Sequence, residues 1–173
     1  MSMTAKRRPP GRIRALVTDV DGVLTDGGMY FDRHGQALKR FHVRDGFIVG
    51  AMREAGVLMA WITGDNSEIT ATRAAKLGIV ELHTGVEDKG ACLREFMARH
   101  GLQRDEVAYM GDDLNDLPAM AEAGICACPA DAAPEVLAAA DVVTHRRGGE
   151  GAVREFCDMI LAWNRELREE RDT

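Results

Sequence analysis

The sequence predicts an α/β fold, a Rossmann-like parallel sheet with helices on both faces and a small β-hairpin insertion. Two observations carry that expectation. Short apolar runs alternate with helical patterns along the chain, as strands do when crossover helices join them. Carboxylates, a hydroxyl and a lysine follow those runs directly or stand at helix starts, which is where open α/β sheets bind ligands.

Taken in order, residues 1–13 carry Lys6, Arg7, Arg8, Arg12 and the Pro9-Pro10-Gly11 break, and are expected to be a disordered lead-in. One domain is expected over 14–164, since 173 residues suffice for a single substantial core. The runs around Ala15-Leu16-Val17, Leu58-Met59-Ala60-Trp61-Ile62 and Val107-Ala108-Tyr109-Met110 place strands near 14–19, 57–62 and 107–110, with further strands near 79–82, 124–128 and 141–144. Gly28-Met29-Tyr30-Phe31-Asp32 and Gln36 to His42 flank the turn-like Arg33-His34-Gly35, which predicts the hairpin. Helices are placed near 45–55, 66–77, 88–100, 114–123, 133–139 and 150–167, the last after Gly148-Gly149-Glu150-Gly151. The mixed-charge end, 165–173, is expected to fray.

Composition narrows the function classes. Net charge is −6 and pI about 5.4, with basic residues clustered only near the N-terminus, so nucleic acid is a poor partner. No apolar stretch of about 18 residues is present for a membrane span, and the N-terminal cluster lacks the apolar core of a signal peptide. The four cysteines, Cys92, Cys126, Cys128 and Cys157, fit neither zinc pairs nor a disulfide framework. A cytoplasmic protein with reduced thiols is expected.

Thr18-Asp19-Val20-Asp21-Gly22 is the most informative segment. Two carboxylates two residues apart at a strand end point to one side, and their repulsion calls for a cation or a shared proton. Asp-Gly alone would mark only a turn. Three more segments follow in order: Thr63-Gly64-Asp65, Asp88-Lys89-Gly90 and Gly111-Asp112-Asp113-Leu114-Asn115-Asp116. Asp113 and Asp116 also have the spacing of a helix cap and its reciprocal partner.

Together these four segments resemble the signature motifs of the haloacid dehalogenase superfamily of phosphotransferases. The resemblance implies Asp19 as nucleophile, Asp21 as general acid and then base, Thr63 and the amides near Gly64 as phosphoryl ligands, and Lys89 as the neutralising cation. It implies Mg2+ held by Asp19, the Val20 carbonyl, Asp21 and Asp112, with Asp113 and Asp116 as outer supports.

There is no room for the large cap domain of many relatives. From about Arg14 to Trp163 the chain resembles the capless subfamily that hydrolyses 3-deoxy-D-manno-octulosonate 8-phosphate. Lys39-Arg40-Phe41-His42-Val43-Arg44-Asp45-Gly46 and Arg147-Gly148-Gly149-Glu150-Gly151-Ala152-Val153-Arg154-Glu155-Phe156 carry that likeness. It implies a homotetramer whose neighbouring subunits cover the site. It also suggests Arg44 and Arg154, among the cations Lys39, Arg40, Arg73, Lys76 and Arg147, as ligands for an acidic sugar. The octulosonate phosphatases usually carry Arg after the Thr-Gly, where this chain has Asp65. With Lys76 further on, that position resembles relatives acting on nine-carbon, sialic-acid-type 9-phosphates. The expected activity is therefore hydrolysis of an acidic 3-deoxy-2-keto sugar phosphate of eight or nine carbons. The alternative is a non-catalytic oligomerisation module of the kind appended to sialic-acid cytidylyltransferases, against which the complete catalytic set argues.

Overall fold

The computed structural model describes residues 4–171. Its strands and helices run β1 (Thr4–Ala5), β2 (Ala15–Thr18), β3 (Tyr30–Asp32), β4 (Gly35–Leu38), α1 (Val43–Glu54), β5 (Leu58–Ile62), α2 (Glu68–Leu77), β6 (Glu81–His83), α3 (Lys89–His100), β7 (Val107–Met110), α4 (Leu117–Glu122), β8 (Ile125–Cys128), α5 (Pro134–Ala139), β9 (Val142–Val143) and α6 (Ala152–Arg171). Among the described residues, seven strands form one sheet in the order β1-β9-β8-β7-β2-β5-β6. The six strands from β2 onward in this sheet are mutually parallel, and β1 adds antiparallel to β9.

Strand alternation explains the two layers. Leu16 of β2 faces one core with Trp61, Met110, Ile48 of α1 and Phe156 of α6. Its neighbours Ala15 and Val17 face the other, with Tyr109, Phe96 of α3, Met120 of α4 and Val136 of α5. Central strands covered on both faces must be apolar throughout, and β2, β7 and β8 are buried at every position. The hairpin β3–β4 stands apart as its own two-stranded sheet.

Both chain ends differ from expectation. Residues 4–13 are not a free lead-in: β1 pairs with β9, the Lys6 amide donates to Asp141 O at 2.8 Å, and Ile13 is buried. Arg7 fixes this segment, donating to both Asp141 carboxylate oxygens at 2.6 and 2.9 Å and to Gly124 O at 2.7 Å. Asn164 clamps the Ile13 backbone at both its N–H and its C=O, each at 2.8 Å. At the other end α6 continues helically to Arg171, through most of the segment expected to fray. No described helix is long and apolar enough to cross a membrane. Cys126, Cys128 and Cys157 are buried free thiols, as expected, and burial raises their pKa values.

Candidate active site

Parallel register brings the predicted segments together. Thr18 pairs with Trp61 on one side and Met110 on the other, so β2, β5 and β7 end at one level. Asp19, Thr63 and Asp112 follow those ends within two residues. The Asp19 amide donates to Met110 O and the Thr63 amide to His83 O, each at 2.9 Å, so the strand ladder reaches these candidate site positions. One cavity of about 240 Å³ is lined by Asp19, Asp21, Thr63, Gly64, Asp65, Lys89, Asp112 and Asp113, together with Asn115. Sequence reasoning did not single out Asn115; its place inside the fourth segment was the available signal.

Lys89 opens α3, where Asp88 caps the helix by accepting the Ala91 amide at 2.9 Å. Its buried ammonium lies 3.0 Å from Asp19 Oδ2 and 2.8 Å from Asp116 Oδ1. Burial works against that charge, but the two carboxylates outweigh it and hold Lys89 above its ordinary pKa. Asp116 is wholly buried and gives each oxygen two partners: Lys89 and the Tyr109 hydroxyl (2.7 Å) on Oδ1, the amides of Asp112 (2.9 Å) and Asp113 (3.3 Å) on Oδ2. Asp113 caps the single turn Leu114–Asp116, with Asp116 answering its amide in the reciprocal pattern that the spacing predicts. Both residues are thus tied into the site through direct hydrogen bonds.

The carboxylates are not neutralised by Lys89 alone. Burial first, then Asp116, raises Asp19 to about 7, against the opposing pull of Lys89. Burial, Asp19 and Asp116 raise Asp112 to about 8. Asp112 Oδ1 is buried without a partner. One oxygen each from Asp19, Asp112 and Asp116 lies within 4.8 Å of the others. An orphaned acceptor amid crowded, desolvated oxygens fits a hard divalent cation. Gly22, at φ 86°, is required beside this group, because a Cβ there would collide with the Asp112 carboxylate.

The Val20 carbonyl, an expected metal ligand, is engaged by the turn that follows it. It accepts the amides of Leu24 at 2.9 Å and Thr25 at 3.0 Å, so its lone pairs serve the turn that carries Asp21. Asp21 stands outside the metal-sized cluster; its Oδ2 meets Lys39 Nζ at 2.7 Å, and the same ammonium meets Asp65 Oδ2 at 2.6 Å. Lys39 was foreseen only as one of several substrate-facing cations.

The other expected substrate ligands lie elsewhere in the chain. Arg44 and Arg154 line a separate cavity of about 430 Å³ with His145, Arg146 and Glu155. Arg154 is paired to Asp158 at 2.8 Å, Arg147 to Asp131 at 3.2 Å and Arg40 to Asp26 at 3.2 Å. Arg73 stacks over Phe41, 5.7 Å from the ring centroid, and Lys76 is exposed in the last turn of α2. His42 is the N-cap of α1, its Nδ1 accepting the Arg44 amide at 3.3 Å, and Asp45 accepts the Arg154 amide at 2.7 Å where α6 begins.

The glycine-rich segment meets the loop that bears Asp21 through backbone. Gly149 N donates to Val23 O at 3.1 Å and Gly148 N to Asp131 at 2.9 Å. A Cβ on Gly148 would overlap Gly22 O, and one on Gly149 the Thr25–Asp26 peptide. These glycines therefore let residues 148–149 lie flat against the loop that bears Asp21.

A family model described as haloacid dehalogenase-like hydrolase matches residues 47–156. The 3-deoxy-D-manno-octulosonate 8-phosphate phosphatase of Yersinia pestis is 44% identical over 149 residues, which is 86% of this chain and 80% of that protein. That of Escherichia coli K12 is 41% identical over the same length, 86% of this chain and 79% of that protein. Among solved structures, the cobalt-bound deoxy-D-mannose-octulosonate 8-phosphate phosphatase of Haemophilus influenzae is similar at TM-score 0.87 and 40% identity, over 90% of this chain and 91% of that one. The Moraxella catarrhalis 3-deoxy-D-manno-octulosonate 8-phosphate phosphatase, in complex with magnesium ion, phosphate ion and KDO, is similar at TM-score 0.86 and 35% identity over 92% of both chains.

Proposed function

This chain belongs to the haloacid dehalogenase-like hydrolases and is a phosphatase among them, and from that premise we propose that it hydrolyses 3-deoxy-D-manno-octulosonate 8-phosphate with Mg2+. The observation that carries this reading is the single cavity uniting Asp19, Asp21, Thr63, Lys89 and Asp112, in a chain 44% identical to a phosphatase named for that substrate. Asp19 attacks phosphorus and carries the phosphoryl group as an acyl phosphate. Asp21 protonates the departing sugar oxygen and then takes a proton from the water that cleaves the acyl phosphate. The Thr63 hydroxyl and the Gly64 amide bind phosphoryl oxygens, and Lys89 offsets charge on the phosphoryl group and on Asp19. Mg2+ on Asp19 and Asp112 would relieve their repulsion and add Lewis-acid stabilisation of the phosphoryl oxygens.

Among the described residues no cap domain covers the site, so another subunit is the proposed cover. The hairpin and α1 expose Met29, Phe31, Leu38, Val43 and Phe47, an apolar set suited to self-association in a homotetramer. A two-stranded ribbon is marginal by itself and gains stability from such docking. In that assembly Arg44 and Arg154 serve a neighbouring subunit's site. A nine-carbon 9-phosphate remains the second reading, favoured by Asp65 in the cavity wall.

Phosphate release with Mg2+ tests the assignment. The octulosonate ester should give the highest kcat/KM, ahead of nine-carbon 9-phosphates and neutral hexose phosphates, and excess chelator should abolish turnover. Preference for a neutral hexose phosphate would break the acidic-sugar assignment. Preference for the nine-carbon ester, lost in Lys76→Ala, would transfer it to the second reading.

A further inference from the structure

We infer that Lys39 is a positioning residue for phosphoester cleavage: its ammonium ties the Asp21 carboxylate to Asp65 across the cavity and so fixes the group that exchanges protons with the leaving oxygen. The inference rests on the phosphatase reading above and adds to it a residue outside the four catalytic segments.

The Lys39 side chain is 1% exposed, whereas the carboxylates of Asp21 and Asp65 are each 38% exposed. An ammonium covered in this way has lost its water and is held by its protein partners. Both bonds are short and charge-assisted, at 2.7 and 2.6 Å. They bridge the loops that follow two neighbouring paired strands, at positions past the end of the pairing: Asp21 lies beyond β2 and Asp65 beyond β5. The donor's own backbone is fixed on both sides, by β4 ending at Leu38 and by the isolated bridge between Phe41 and Thr25.

Asp21 has little other restraint. Its Oδ1 meets the Thr25 hydroxyl only at 3.5 Å, while Lys39 occupies Oδ2. Lys39 therefore divides the carboxyl group, holding one oxygen and leaving the other to carry the proton. Without the ammonium, two carboxylates that had shared one donor would face each other with like charge and move apart. Asp65 is drawn into the same role, since its amide donates to the Thr63 hydroxyl oxygen at 3.1 Å and its carboxylate steadies Lys39.

The step this serves is balanced within the site. The bond between phosphorus and the ester oxygen breaks as the bond from the Asp19 oxygen to phosphorus forms, and the electron pair left on the ester oxygen takes the Asp21 proton. A positioned acid is worth about 10²–10⁴-fold for a leaving group as basic as an alkoxide. It matters little for p-nitrophenolate, which departs without a proton.

The test is kcat/KM of wild type, Lys39→Met and Lys39→Arg on three esters: octulosonate 8-phosphate, glucose 6-phosphate and p-nitrophenyl phosphate. This ratio covers steps through leaving-group departure and excludes later hydrolysis of the acyl phosphate. In Lys39→Met both sugar esters should lose on the order of 100-fold, the aryl ester far less, and Lys39→Arg should recover part of the loss. Equal loss on all three esters, or no loss, would overturn the assignment as a general effect on the fold or none. Loss confined to the octulosonate would overturn it in favour of carboxylate binding by Lys39. If Lys39→Met does not fold, Lys39→Gln makes the same comparison. Wild type that hydrolyses none of the esters would break the phosphatase reading itself, and the Lys39 role with it.

Discussion

Two cavities of this chain are both lined mainly by charged side chains, one dominated by aspartates and the other mixing arginines with carboxylates, and they differ in how those charges are matched. At the strand ends, Asp19 and Asp116 share one ammonium, and the neighbouring Asp112 Oδ1 is buried without a partner. In the cavity between α1 and α6, Arg154 has Asp158, and His145 has Glu155, which also accepts the His145 and Arg146 amides. The first region carries an unmet demand for positive charge, whereas in the second Arg154 and the Glu155 carboxylate find partners within the chain. Chemistry belongs where folding has left the imbalance, since burial and like charges perturb groups there.

The sharpest way to break that contrast is to neutralise one residue in each region. Asp19→Asn is close to isosteric and should keep the fold while phosphate release falls to background. Arg154→Ala should retain turnover, with its effect confined to KM for the acidic sugar. Steady-state phosphate release with matched circular dichroism distinguishes the two. Loss of kcat in Arg154→Ala as complete as in Asp19→Asn would put both cavities in the catalytic machinery.

Stability should show the same asymmetry. Asp116→Ala leaves the buried Lys89 without its 2.8 Å partner and orphans the Asp112 amide, while Tyr109 loses its acceptor. Removing one member of such a buried pair costs about 3–5 kcal/mol. Urea unfolding should register that loss. Asp158→Ala at the arginine cavity, on an exposed pair, should cost about 0–1 kcal/mol.

Gly148→Ala should have an intermediate effect, because its Cβ would overlap Gly22 O and force the catalytic loop to shift. Overpacking of this kind costs about 1–3 kcal/mol. Thermal unfolding should fall accordingly, with kcat reduced more than KM changes. Wild-type kcat in a folded Gly148→Ala protein would show that the glycine segment does not set the loop.

What the sequence disclosed follows the same division. The candidate site residues of the four segments were legible because each sits within three residues of a strand end or at a helix start, and local pattern locates those points. The α/β layering and the hairpin were legible for the same reason. Contacts between distant segments were not. Nothing near Lys39 announces Asp21 and Asp65, 18 and 26 positions away, and nothing in Arg147 to Gly151 announces Gly22. β1 was missed because two residues carry no periodicity and Pro9-Pro10-Gly11 reads as a break. What orders that end is Arg7 reaching Asp141, 134 positions on. The engagement of the Val20 carbonyl was not legible either, because a turn's own amides compete for it and a motif does not display that competition.

That N-terminal pair supplies the smallest expected effect. Burial alone would raise the Asp141 carboxyl, but the Arg7 guanidinium and the Cys126 amide outweigh it and hold the carboxyl below its ordinary value. A carboxylate depressed in the folded state contributes stability above its unfolded value, about 3.9, and that contribution is lost as pH falls through the folded value. Arg7 is half-exposed, so solvent screening keeps the contribution to about 0–1 kcal/mol. Asp141→Asn should therefore be slightly less stable than wild type near pH 7, with the gap narrowing as pH drops below about 4. Urea midpoints at several pH values measure this. The gap should also shrink in high salt, because the exposed guanidinium is screened. The deficit of Asp116→Ala, set by a buried ammonium, should persist there. A deficit in Asp141→Asn that narrowed with falling pH but ignored salt would assign its role to the Cys126 amide, which lies 2.9 Å from Asp141 Oδ2 and carries no charge to screen.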